Sequence, residues 1–150
     1  MIDYSKVKVG DILRVTGLGA GGFAEIGDLV MVTEILPDPG IRVTCIGSKL
    51  VAEFLFKGGA ERLEQIDTDI FTADLILEEI SYYLVSVNSA QENIHICALR
   101  AMVYRRTGCY LTLRRVAQTI AAFFPKFKFK IDSTGPFILA DLATVNKYTK

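Results

Sequence analysis

From Val9 to Ile66 the chain alternates short apolar runs with glycine and proline, and this pattern constrains the fold more than any other feature of the sequence. Ile12-Leu13-Arg14-Val15-Thr16 has the period of two that a half-buried strand requires. A glycine-rich arc follows, Gly17-Leu18-Gly19-Ala20-Gly21-Gly22-Phe23, and Gly27-Asp28 then turns the chain into the apolar run Leu29 to Ile35. Pro37-Asp38-Pro39-Gly40 is a second turn, because proline presets φ and glycine admits positive φ. Ile41 to Ile46 alternates again, and Gly47-Ser48 leads into Leu50 to Phe56. Gly58-Gly59 ends that strand, and Glu61 to Ile66 supplies a short turn and a last strand. No helix of useful length fits between these breaks.

Val9-Gly10-Asp11 ahead of the first strand, the long glycine-rich arc, and Gly27-Asp28-Leu29-Val30-Met31-Val32 resemble the SH3-like β-barrel, including its KOW variety. The resemblance covers residues 1–67 and implies binding rather than catalysis, with peptides, RNA, DNA or other proteins as the partner classes. Small barrels of this type are frequent in phage-encoded proteins. On that ground the resemblance implies a small regulator or inhibitor that docks on a host protein or protein complex. The arc offers only Phe23 and Glu25, and the chain has no tryptophan, which argues against proline-rich ligands. Nor is the arc a phosphate loop: a strand rather than a helix follows it, and Gly-Lys-Ser/Thr is absent.

After Ile66 the period changes, and residues 68–150 read as an α+β module of about three helices and a C-terminal hairpin. Thr68 or Thr72 caps a helix carrying Leu75, Ile76, Glu79, Ile80, Tyr83, Leu84 and Val87, which Asn88-Ser89 ends. Glu92 to Arg106 reads as the second helix, with Ile94, Cys97, Ala98, Ala101 and Tyr104 facing inward and Gly108 as its C-terminal cap. Thr112 caps the third, with Leu113, Val116, Ala117, Ile120 and Phe124 inward, Arg114, Arg115 and Gln118 outward, and Pro125 as its stop. Lys126-Phe127-Lys128-Phe129-Lys130-Ile131 is a period-two strand with lysines on one face. Ser133 to Pro136 turns it into Phe137 to Leu142, and the final residues are expected to fray.

The net charge is zero, yet residues 1–67 carry −3 and residues 68–150 carry +3. Between Asn93 and Ile131 there is no carboxylate in 39 residues, against eight cations: Arg100, Arg105, Arg106, Arg114, Arg115, Lys126, Lys128 and Lys130. Such a field attracts an acidic protein surface or phosphate. These eight, with Tyr104 and Tyr110, form the expected binding face, and docking on a protein is the first expectation. Nucleic acid is the second. Three helices and a basic hairpin are the element order of a winged-helix DNA binder, in which Arg114, Arg115 and Gln118 lie in the major groove and the lysines contact backbone. Against it stand Ala121, Ala122 and Phe123 on the third helix, and the ordinary use of lysine to protect a sheet edge. A third expectation is a small anionic nucleotide held between subunits. There Arg105, Arg106, Arg114 or Arg115 would clamp phosphate, and Tyr104, Tyr110 or Phe124 would stack on the base.

The remaining composition argues by exclusion. No apolar run reaches the ~20 residues needed to span a bilayer, and Asp3, Lys6, Lys8 and Asp11 break any secretory leader. Cys45, Cys97 and Cys109 are an odd, widely spaced set, so a reducing, cytoplasmic setting without disulfides is expected. His95 and Cys97 lack helical metal-ligand spacing, and Glu78-Glu79 diverge, so no catalytic residue, metal or cofactor is expected. A hydrophobic content of 51% with mean hydropathy +0.34 leaves apolar surface to cover, which suggests a homo-oligomer.

Overall fold

A computed structural model describes residues 3–17, 26–37, 40–46, 53–57 and 63–149. The chain divides into two units: residues 1–68 with 107–109, and residues 69–106 with 110–150. In the first unit the strands are β1 (Ile12–Val15), β2 (Leu29–Leu36), β3 (Gly40–Cys45), β4 (Glu53–Lys57) and β5 (Leu63–Gln65). All pairings are antiparallel, in the order β4-β3-β2-β1-β5. Leu13 lies opposite both Val30 and Gln65, so β1 is shared between its two neighbours. The β2–β3 register shifts between Val32 and Glu34, an irregularity of the kind that bends a strand. Leu13, Val15, Val30, Val32, Ile41, Val43 and Leu63 pack with Val7 into one buried cluster, the face that the period-two pattern predicts. Gly27 takes φ 97° in the turn into β2, where a side chain would be strained. Among the described residues no pairing joins β4 to β5, so these strands form an open sheet and not a closed barrel. The glycine arc beyond Gly17, the Asp38-Pro39 turn tip, and the segments 47–52 and 58–62 lie outside the described residues.

Apart from Thr68 and Thr107, which fall in the first unit, the second unit holds α1 (Thr68–Ser86), β6 (Gln91–His95), α2 (Ile96–Thr107), α3 (Leu113–Phe123), β7 (Phe129–Asp132), β8 (Gly135–Asp141) and α4 (Leu142–Tyr148). Its sheet is antiparallel with order β6-β8-β7. α1 buries Thr72, Ala73, Leu75, Ile76, Glu79, Ile80 and Leu84, and Asn88 at φ 52° receives its end. Val87, expected on the inner stripe, lies in that turn and is exposed.

Four expectations for this unit are corrected. Residues 91–95 form a strand rather than the first turn of a helix, because Ile94 lies opposite Ile138 across the sheet, a partner 44 positions away. The hairpin thereby becomes a three-stranded sheet. α2 accordingly starts at Ile96 and buries Ile96, Leu99 and Val103, while Cys97, Ala98, Ala101 and Tyr104 face outward. Branched side chains at that spacing remove more apolar area from water than alanine and cysteine do. The basic strand begins at Phe129 and is exposed throughout, with Phe129 and Ile131 outward; only Phe127, before the strand, is buried. The C-terminus does not fray before Tyr148. Asp141 caps α4 by accepting from Thr144 N–H at 2.7 Å, and the Tyr148 ring packs 5.0 Å from Phe124 and 5.8 Å from Phe127.

Candidate functional site

The cations of the carboxylate-free stretch divide into those used internally and those left exposed. Thr112, in extended conformation, accepts from Arg115 N–H at 3.0 Å and fixes the start of α3, as its sequence position predicts. Val116, Thr119 and Ile120 face the core, and Arg114, Gln118, Ala121 and Ala122 are exposed. Leu113, expected inward, is exposed, and Arg115 is half-buried with its guanidinium 3.5 Å from Asp69. Arg106 is more firmly committed. Its Nε donates to Glu79 Oε1 at 2.7 Å and Nη1 to Glu78 at 3.2 Å, with Tyr82 beneath the guanidinium. The Glu79 side chain is only 4% exposed, and its hydrogen bond holds the Arg106 guanidinium above its ordinary range.

Arg100 stacks over the Tyr110 ring at 5.7 Å, and Tyr104 meets the same ring edge-on at 6.1 Å. Both tyrosines are exposed, so each keeps apolar surface available to a planar group. Arg105, Arg114, Lys126, Lys128 and Lys130 are exposed, and none has an acidic partner among the described residues. Of the ten residues expected to bind, five cations and two tyrosines thus remain outward, Arg100 is stacked, and Arg106 and Arg115 are structural in part. The Lys126 N–H donates to the Tyr148 hydroxyl at 3.0 Å, which ties the start of the lysine segment to α4.

The hairpin tip carries a cluster that sequence spacing did not reveal. His95 Nε2 lies 2.8 and 3.0 Å from the two oxygens of Asp132 and 2.8 Å from Thr134 Oγ1. Thr134 in turn donates its N–H and its hydroxyl to Asp132 Oδ1, at 2.8 and 2.6 Å. These bonds from Thr134, then that from His95, hold the Asp132 carboxyl down at about 2. The residue types are those of a nucleophilic triad, but the geometry is not. Threonine and aspartate meet the same imidazole nitrogen, so the ring cannot pass a proton from one to the other. A turn at Ser133 to Pro136 was legible, and the chain reverses between Asp132 and Gly135; the contact of Asp132 with His95, 37 positions away, was not legible.

Between α1 and α2, Glu79, Tyr82, Tyr83, Ser86, Met102, Arg105 and Arg106 line an open groove of about 330 Å³. Among the described residues no group of three or more metal-ligating side chains converges. Cys109 is buried, Cys97 is exposed on α2, and burial pushes the Cys45 thiol up, with the Asp28 charge adding to it. No helix among the described residues is long and apolar enough to cross a membrane. No protein-family model, curated protein or solved structure matches the chain.

Proposed function

We propose that residues 69–150 form a winged-helix module that binds duplex DNA without catalysis. The observation that carries this reading is the element order α1-β6-α2-α3-β7-β8 with the sheet order β6-β8-β7, in which α3 is the recognition helix and the β7–β8 hairpin the wing. An α-helix with its side chains is 10–12 Å across and fits a major groove about 12 Å wide. The exposed stripe of α3 has Arg114 near its N-terminus, where such helices contact base edges, Gln118 at its middle, and Ala121 and Ala122 beyond. The alanines, which from sequence argued against recognition, support close approach: a methyl group contacts thymine and holds nothing else away. Lys126, Lys128 and Lys130 supply sequence-independent phosphate contacts. For the first unit, the order β4-β3-β2-β1-β5 is the strand order of SH3-like barrels, and we carry the resemblance forward as a proposal.

Fluorescence anisotropy with a fluorescein-labelled duplex tests the reading. Binding is expected to weaken steeply with salt, and Arg114→Glu combined with Lys128→Glu is expected to weaken it at least tenfold. Salt-insensitive binding, or none, overturns the proposal.

One observation favours docking on a protein instead. Phe129, between Lys128 and Lys130, is 39% exposed and Ile131, after Lys130, is 80% exposed on β7, an edge strand, and apolar groups beside cations suit an acidic partner surface. In that reading the chain is a small regulator or inhibitor. Affinity capture from a bacterial lysate with and without nuclease separates the two: a stoichiometric protein retained after nuclease favours docking, and loss of all partners favours DNA.

A further inference from the structure

The His95 cluster joins the two edges of the second sheet. His95 lies opposite Phe137 of the central strand, and Phe137 lies opposite Lys130 of the lysine strand. Residues directly opposite one another share a sheet face, so His95, Phe137, Lys130 and, two positions on, Asp132 project to one side. The imidazole packs 5.3 Å from the Phe137 ring and reaches over it to the Asp132–Gly135 turn. This turn is where the hairpin reverses, with Gly135 at φ 120°. The hairpin tip is therefore held by more than its own ladder.

The protonation of Nε2 follows by elimination. The Thr134 hydroxyl spends its hydrogen on Asp132 Oδ1, so it meets Nε2 only as an acceptor, and the carboxylate oxygens are acceptors as well. Nε2 must carry a hydrogen in either charge state. Protonation of the ring adds its hydrogen at Nδ1 and keeps every bond of the cluster, while placing a positive charge against Asp132. The bond becomes charge-assisted on both sides without any rearrangement. The charged groups on the face of the sheet that carries the ring are Asp132 and Lys130. His95 is the single histidine of the chain, so its titration is not confounded by another imidazole.

We propose that His95 is a positioning residue for the lysine-bearing hairpin, whose protonation tightens the hairpin tip and strengthens its hold on phosphate. The functional half of this rests on the DNA-binding reading above; the clamp itself does not. Histidine is the side chain whose ordinary charge change falls between pH 5 and 8, which sets the range for the test. On the full chain, ¹⁵N relaxation of the Ser133, Thr134 and Gly135 amides is compared at pH 8 and pH 5.5, followed by duplex anisotropy at both. Order parameters at the tip are expected to rise at pH 5.5. Affinity is expected to rise about threefold, the scale of one exposed charge pair.

Asp132→Asn keeps the exposed turn and the titrating imidazole but removes the charge pair, and it is expected to abolish both responses. A tip that stays equally ordered while the His95 ring titrates overturns the clamp. An affinity gain that persists in Asp132→Asn assigns the effect to net charge alone and overturns the positioning role. A tip response in a chain that binds no duplex at either pH keeps the clamp and overturns the DNA reading only.

Discussion

Glu79 shows at the scale of one residue why charge on a helix cannot be read from sequence as solvated or buried. It shares α1 with Glu78, one position away, yet it is buried and Glu78 is exposed. Burial is tolerated because Arg106 donates to it directly. Arg106→Ala leaves that carboxylate without its donor and is expected to cost about 2 kcal/mol in urea unfolding, whereas Arg105→Ala is expected to stay within about 0.5 kcal/mol. Asp132 carries a pH dependence of definite sign. Its carboxyl titrates at about 2 in the fold, below the ordinary ~3.9. The folded state therefore favours the ionised form, so the contribution is complete above about pH 4 and is lost as pH falls toward 2. Thr134→Ala removes the largest cause, and carbon-detected NMR titration is expected to find the Asp132 value raised toward 3.9.

Among the elements, α3 was legible and β6 was not, for different physical reasons. Thr112, the apolar repeat Val116 and Ile120, and Pro125 are local signals, and the helix starts and stops where they say. Residues 91–95 carry no such signal, and Gln91-Glu92-Asn93-Ile94-His95 becomes a strand only because β8 offers a pairing edge. The same non-local pairing set which side of α2 is buried. β8 is the central strand, and Ile138 at its middle is fully buried between Ile94 and Phe129 in register. Ile138→Ala is expected to destabilise by about 3 kcal/mol, measured by thermal unfolding, and Ile131→Ala on the exposed edge by less than about 0.5 kcal/mol. A larger effect at Ile131 would mean that the edge strand is covered in solution.

For the whole molecule, the relevant quantity is how many cations remain free once internal pairs are removed. The carboxylate-free stretch was visible in the sequence, but its eight cations are not equivalent. Arg106 and Arg115 meet acidic side chains, and Arg100 stacks on Tyr110. Five phosphate contacts from Arg105, Arg114, Lys126, Lys128 and Lys130 would give a logarithmic salt slope of about −4.5 in duplex binding, at about −0.9 for each. A slope near −1 would place most of these residues away from the backbone.

What the sequence determined by itself was whatever a few neighbouring residues decide. Gly27 placed the turn into β2, period-two alternation chose the buried face of the first sheet, and the threonine and proline around α3 bounded it. The change of period after Ile66 separated a β segment from an α+β one, because both patterns report local backbone geometry. The remaining features depend on partners distant in the chain: the strand at 91–95, the direction that α2 faces, the burial of Glu79, and the His95 contact with the hairpin tip. Each becomes favourable only when another element covers an apolar surface or completes a hydrogen bond, and spacing along the chain carries no record of that partner.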